Sequence, residues 1–171
     1  MESFCNCLHV EPVLVEQAEA VLTGKGRTFT YGLPYGSHPN YSWKGLGNAQ
    51  TLKVIRGAFA ELSKQSGAKF VETSKTSKAN IRIYFQNIAD GGLYEGNGKI
   101  KFSNSRAGVT AKIGRIWLLH EVMHYLGYRA APPSDKFYHS TNKNEIYHAW
   151  GSGEQYGAHF LNWMKSRYGA K

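Results

Sequence analysis

A chain of 171 residues with 42% hydrophobic and 13% aromatic content can bury a core of its own, which excludes a disordered or fibrous protein and sets the expectation of one domain. Its net charge of +9 would attract polyanions, but the cations, among them Lys69, Lys75, Lys78, Arg82, Arg106, Lys112 and Arg115, are scattered, so nucleic acid is not an expected partner. Two cysteines, Cys5 and Cys7, exclude a disulfide-stapled scaffold, and no apolar run approaches the length needed to cross a bilayer.

In chain order, the N-terminus has Glu2 and no continuous apolar stretch, so it does not read as a secretory signal. A soluble protein is expected, its location left open, with secretion and association with a virion both possible. Residues 1–24 read as an appendage with a short helix over 12–22, and 25–171 as the functional domain. The alternation of Phe29, Tyr31 and Leu33 predicts a strand over 27–33, ended by Pro34. Leu52, Ile55, Ala58, Phe59 and Leu62 recur at helical spacing and predict an amphipathic helix over 49–63. Phe70-Val71 begins a short strand, and 81–85, Ile-Arg-Ile-Tyr-Phe, reads as a strand interior to a sheet. The glycine-rich stretch 91–98 reads as a connection into a strand around Ile100-Lys101-Phe102. That strand is expected at the sheet edge, with Lys99 and Lys101 protecting it or favouring acidic residues in an added peptide strand. A terminal helix is expected over 153–168, carrying Tyr156, Phe160, Trp163 and Met164.

Between these lies the run His120-Glu121-Val122-Met123-His124. At 3.6 residues per turn the two imidazoles stack on one helix face and can reach one metal ion, with the carboxylate between them close enough to act on a water there. Five residues can match by chance, so the surroundings matter. Ala111, Ile113, Ile116, Trp117 and Leu119 form an apolar stripe with no proline, and Gly127 follows Leu126 where a left-handed cap would end the helix and reverse the chain. A third ligand could then arrive from downstream.

The string His120-Glu121-x-x-His124-x-x-Gly127 resembles the metzincin clan of zinc peptidases, in which x-x-His follows as third ligand and a methionine-containing turn comes later. Here Ala130 occupies the third-ligand position and cannot bind metal. Downstream, His139-Ser140 followed by 141–147 is similar to the matrixin segment in which His-Ser leads to Met-Tyr. The fit needs an insertion of roughly nine residues that includes Pro132 and Pro133, and places Ile146 where the family has methionine. The resemblance spans residues 25–168 and implies an α+β fold: a twisted, mostly parallel sheet with an edge strand, the motif helix and a C-terminal helix. Three other residues remain open as third ligand behind His139. Glu145 would follow the gluzincin pattern, Asp135 the aspartate variant, and His148 is the last option.

What the resemblance implies is a zinc endopeptidase acting as a monomer on a protein or peptide substrate, with acidic ones favoured by charge. Zn²⁺ would be held by His120, His124 and His139, with Glu121 as general base and Tyr147 stabilising the oxyanion. Tyr147 reads equally well as a core tyrosine with a satisfied hydroxyl. In matrixins an N-terminal thiolate holds the enzyme latent, a part that Cys5 or Cys7 could take. The different-class alternative is a peptidase-fold module that binds without cutting, favoured by Ala130, Ile146 and the insertion, and opposed by the intact Glu121.

Overall fold

In a computed structural model, the structure describes residues 26–33, 41–148 and 153–169. The expected helix over 12–22 and the two cysteines lie outside the described residues.

Alternating apolar positions build a five-stranded sheet. Strand β1 (Thr28–Gly32) is followed by helix α1 (Gly47–Ser66), β2 (Lys69–Glu72), β3 (Ile81–Gln86), β4 (Gly92–Gly96) and β5 (Lys99–Ser103). A short 3-10 turn (Thr76–Lys78) precedes β3, and helices α2 (Ala111–Tyr125) and α3 (Ala158–Tyr168) follow β5. The strand order is β2-β1-β3-β5-β4, parallel throughout except for β4, which runs antiparallel along β5. Phe29, Tyr31, Ile81, Ile83, Phe85, Ile100 and Phe102 are all buried, whereas Arg82, Tyr84, Lys99 and Lys101 between them are only half-buried. One face of the sheet therefore carries the core. Aromatic packing ties α1 to that face: the Tyr31 and Phe59 rings stack with centroids 4.1 Å apart, and Phe59 stacks on Phe70 at 5.4 Å.

The glycine-rich stretch is not a connection. It forms β4, the edge strand, and Ile100-Lys101-Phe102 lies inside the sheet between β3 and β4. The edge-protecting part expected of Lys99 and Lys101 is thereby overturned. Both ammonium groups instead meet Glu95 on β4, Lys99 at 2.9 Å. Burial alone would raise the Glu95 carboxyl, but the hydrogen bonds and charges of Lys101 and Lys99 hold it below its usual range. Glycine is there for proximity. A Cβ on Gly91 would sit 2.6 Å from the Trp117 ring, and one on Gly92 would sit 3.0 Å from Phe102 and 3.1 Å from the Glu121 carboxylate. Only side-chain-free backbone lets the edge strand lie this close to α2.

Helix α2 starts where Thr110 accepts the Ile113 backbone N–H at 3.3 Å, a side-chain cap. It stops in a Schellman arrangement: Gly127, at φ 72°, donates to the His124 carbonyl, and Tyr128 donates to that of Met123. The chain reversal expected at Gly127 is thus built from backbone. Helix α3 begins at Ala158, five residues later than expected, because the preceding segment runs extended beside 144–146. Ile146 donates to Gln155 and Gln155 to Asn144, and Cβ atoms on Gly153 and Gly157 would strike the Glu145 carbonyl and carboxylate.

Gly114 provides a test of this packing. Helix propensity alone predicts that Gly114→Ala stabilises α2 by about 0.5–1 kcal/mol. The added methyl, however, would lie 2.9 Å from the fully buried Trp43 indole. Gly114→Ala is expected to destabilise the fold by about 1–3 kcal/mol in urea unfolding, and an unchanged or raised midpoint would contradict the packing.

Candidate metal centre

The reversal at Gly127 sends the chain around the end of α2 and brings it back at His139, where hydrogen bonds fix its path. Ala130 donates to the Tyr138 carbonyl at 2.9 Å, Ser134 to that of His139 at 2.8 Å, and Ser140 to that of Tyr147 at 2.9 Å. His139 is 1% exposed and His120 2% exposed.

Three imidazole nitrogens converge there. His124 Nε2 lies 3.2 Å from His120 Nε2 and 3.1 Å from His139 Nε2. The opposite nitrogen of each ring is held by an acceptor. His120 Nδ1 donates to the Ile146 carbonyl at 2.9 Å, and His139 Nδ1 to Asp135 Oδ2 at 2.7 Å. The Tyr147 hydroxyl donates to the Tyr128 carbonyl at 2.9 Å, so its oxygen accepts from His124 Nδ1 at 3.0 Å. With all three protons on Nδ1, three Nε2 lone pairs point at one another with no hydrogen between them. Such a group is repulsive without a cation. Tetrahedral bonds of about 2.0–2.1 Å to one ion would separate the nitrogens by about 3.3 Å, close to the separations found. His120, His124 and His139 are thus a group able to hold a metal ion.

Burial keeps these rings neutral, as ligands must be. It lowers His120 to about 3, with the His139 charge adding to the effect. It also takes His124 well below its ordinary value, and lowers His139 despite the opposing pull of Asp135. Glu121 moves the other way: burial pushes its carboxyl up to about 8, the Tyr94 backbone N–H opposes the rise, and the Asp90 charge adds to it. Its Oε2 is buried with no hydrogen-bond partner among the described residues. A buried carboxylate oxygen left unsatisfied, on the helix that carries two of the three histidines, has room in its chemistry for a water or substrate proton.

The other candidates fall elsewhere. Glu145 is not in the histidine group: its Oε2 accepts from Ser140 Oγ at 2.7 Å, and its carboxylate packs on Gly157. Asp135 orients His139 rather than joining the group, accepting also from the Phe137 and His139 backbone amides. His148 pairs with Ser140 in an isolated parallel bridge. Tyr147 is buried, and its hydroxyl meets His124 on the ring edge away from the convergence point. That placement differs from the one an oxyanion-stabilising role predicts. Burial, with the Glu121 charge adding to it, raises this hydroxyl well above its usual range, so it stays a donor. Sequence reasoning missed two supports. Gly91 and Gly92 bring the β4 edge to Glu121, a role that glycines inside a strand pattern could have signalled. The Ile146 carbonyl fixes His120 through backbone, for which no residue type gives a signal.

Such supports set ring orientation and basicity. Asp135→Asn is expected to weaken metal affinity about 10–100-fold, and Tyr147→Phe, which removes the acceptor at His124 Nδ1, to weaken it within the same range. Competition with a chromophoric chelator measures both, and unchanged affinity in both variants would deny these contacts an orienting role.

Fold and site together define a mixed α/β domain whose mostly parallel sheet positions a three-histidine centre at the end of one helix. The same architecture is found in the crystal structure of myroilysin, with a TM-score of 0.62 and 15% identity, covering 96% of this chain and 90% of that chain. No protein-family model matches the chain, and no curated protein sequence matches it. No helix among the described residues is long and apolar enough to cross a membrane.

Proposed function

We propose that the protein is a zinc-dependent endopeptidase of the metzincin type, with His120, His124 and His139 as the metal ligands. The observation that carries the reading is the convergence of three Nε2 lone pairs, two of them from the helix on which the residue after His120, Glu121, keeps a buried carboxylate oxygen unpartnered. The fold the chain shares with myroilysin is compatible with this reading. The donor set fits zinc, since three neutral imidazoles leave a position open to water or substrate. Zinc bound there would supply a Lewis acid for the scissile carbonyl and would make water acidic enough to give up a proton near pH 7.

The residues of this chain do the rest. Glu121 takes the proton from the attacking water and delivers it to the leaving amine. Its raised basicity suits the first step, and a nearby divalent charge favours the ionised form needed to begin. Asp135, Tyr147 and the Ile146 carbonyl hold the three rings at Nδ1. The β4 backbone holds Glu121 through Tyr94 N–H. Zinc, one per chain by elemental analysis, with hydrolysis of an unstructured protein that chelator stops and zinc restores, is the expected result. Zinc-loaded protein that cuts no peptide bond would leave the non-cutting module as the reading.

A further inference from the structure

The segment between α2 and His139 carries more than ligand delivery requires. Arg129, Lys136 and Tyr138 are exposed, Tyr138 at 41%, although His139 beside it is at 1%. Tyr138 has φ 62°, a left-handed backbone, where the exposed turn gives way to buried His139. Both cations rest on aromatic rings of the same turn: Arg129 Cζ is 4.6 Å from the Tyr138 centroid, and Lys136 Nζ is 5.1 Å from that of Phe137. The Phe137 ring is in turn 6.0 Å from the His139 ring, and the Arg129 charge reaches the Tyr147 hydroxyl.

Several cations elsewhere in the fold are matched. Lys99 and Lys101 meet Glu95, Lys112 meets Glu154, and Arg115 meets Glu61. The acids of this loop are already committed, Asp135 to His139 and Glu145 to Ser140. No ion pair joins Arg129 or Lys136 to a carboxylate among the described residues.

We infer that Arg129 and Lys136, held on Tyr138 and Phe137 beside the metal centre, select substrates with carboxylate side chains near the bond to be cut, so that acidic peptides are the substrate class. This rests on the peptidase reading. Stacking on a ring restricts a long flexible cation while leaving its N–H groups free, so less freedom is lost when a carboxylate binds. The two rings offer apolar surface to the peptide between its charges. A nucleic acid would need a longer track of cations than this turn provides.

The test uses a fluorescent peptide rich in glutamate and its glutamine counterpart, bound to zinc-loaded Glu121→Gln protein, together with steady-state hydrolysis by the unaltered enzyme. At low salt the acidic peptide is expected to bind about tenfold tighter than its counterpart, with about threefold lost for each of Arg129→Gln and Lys136→Gln. The same loss should appear in KM and not in kcat, and shrink as salt is added. Tyr138→Leu, which keeps both charges but removes one ring, should lower the preference without abolishing it. Equal binding of the two peptides, or a preference untouched in the double variant, overturns the inference even if both peptides are cut. A preference that depends on both cations in a protein that hydrolyses neither peptide upholds the inference as a binding property and removes the peptidase reading.

Discussion

Glu121→Gln is expected to lower kcat about 10²–10⁴-fold, the usual contribution of a positioned general base, while leaving zinc at one per chain. The separation of the two effects follows from the geometry. Glu121 is not one of the converging groups, so the amide removes no ligand. Its Oε2 nonetheless has no hydrogen-bond partner, and Glu121 is the one buried acid among the described residues. Asp135 is bound to His139 and Glu145 to Ser140. Folding should not suffer, because glutamine replaces an acid whose burial already raises its proton affinity to about 8. The melting temperature is therefore expected to hold or rise slightly. Activity equal to that of the unaltered protein would remove Glu121 from the mechanism. Loss of zinc together with activity would make it a structural support of the centre.

The two helical histidines were legible because a helix fixes the geometry of residues four apart, and Gly127 announced a reversal that the backbone then performs. His139 was a weaker inference from sequence, since a loop's path is not set by local spacing. What fixes it is the set of backbone bonds from Ala130, Ser134 and Ser140, which no side chain announces. Strand β4 was missed for a related reason. Glycine is rare in strands because it lacks packing surface, yet Gly91 and Gly92 are needed where Trp117, Phe102 and Glu121 press against the edge. Misplacing the edge then misassigned Lys99 and Lys101, whose alternation with Ile100 and Phe102 marks a sheet with one open face and says nothing of which strand is outermost. Asp135 was read as a ligand candidate because a carboxylate near a histidine can serve either way. Only its 2.7 Å contact with Nδ1 distinguishes the orienting carboxylate from the ligand.

Removing the metal is expected to produce the largest change in stability. The folded chain then retains three lone pairs facing one another and a carboxyl in a dry site, and none of these costs exists in the unfolded chain. At free zinc 1,000 times the dissociation constant, binding contributes about 4 kcal/mol, so chelation should lower the melting temperature by several degrees and re-addition should restore it. His139→Ala should lose this response, since two imidazoles on one helix cannot complete the site.

The pH dependence of the chelated protein carries a further signature. His120 has its folded pKa lowered to about 3, so below the ordinary histidine value of 6.5 the unfolded chain takes up a proton that the folded chain refuses. Stability contributed by neutral burial is present above 6.5 and lost as pH falls toward 3, with His124 and His139 acting in the same direction. Glu121 acts oppositely. Its folded pKa, raised from 4.5 to about 8, contributes stability below 4.5 that is lost as pH rises through 8. From about pH 7.5 to 8.5 the unfolded histidines are already mostly neutral while Glu121 is still titrating, so among these four groups Glu121 dominates the slope and the chelated protein should become less stable across that interval. A bound divalent ion favours the carboxylate and removes this slope. Melting curves at roughly pH 7.5, 8 and 8.5, with and without zinc, should therefore diverge as pH rises. Parallel curves would mean that no cation sits within electrostatic reach of Glu121, and the three histidines would need another explanation for their convergence.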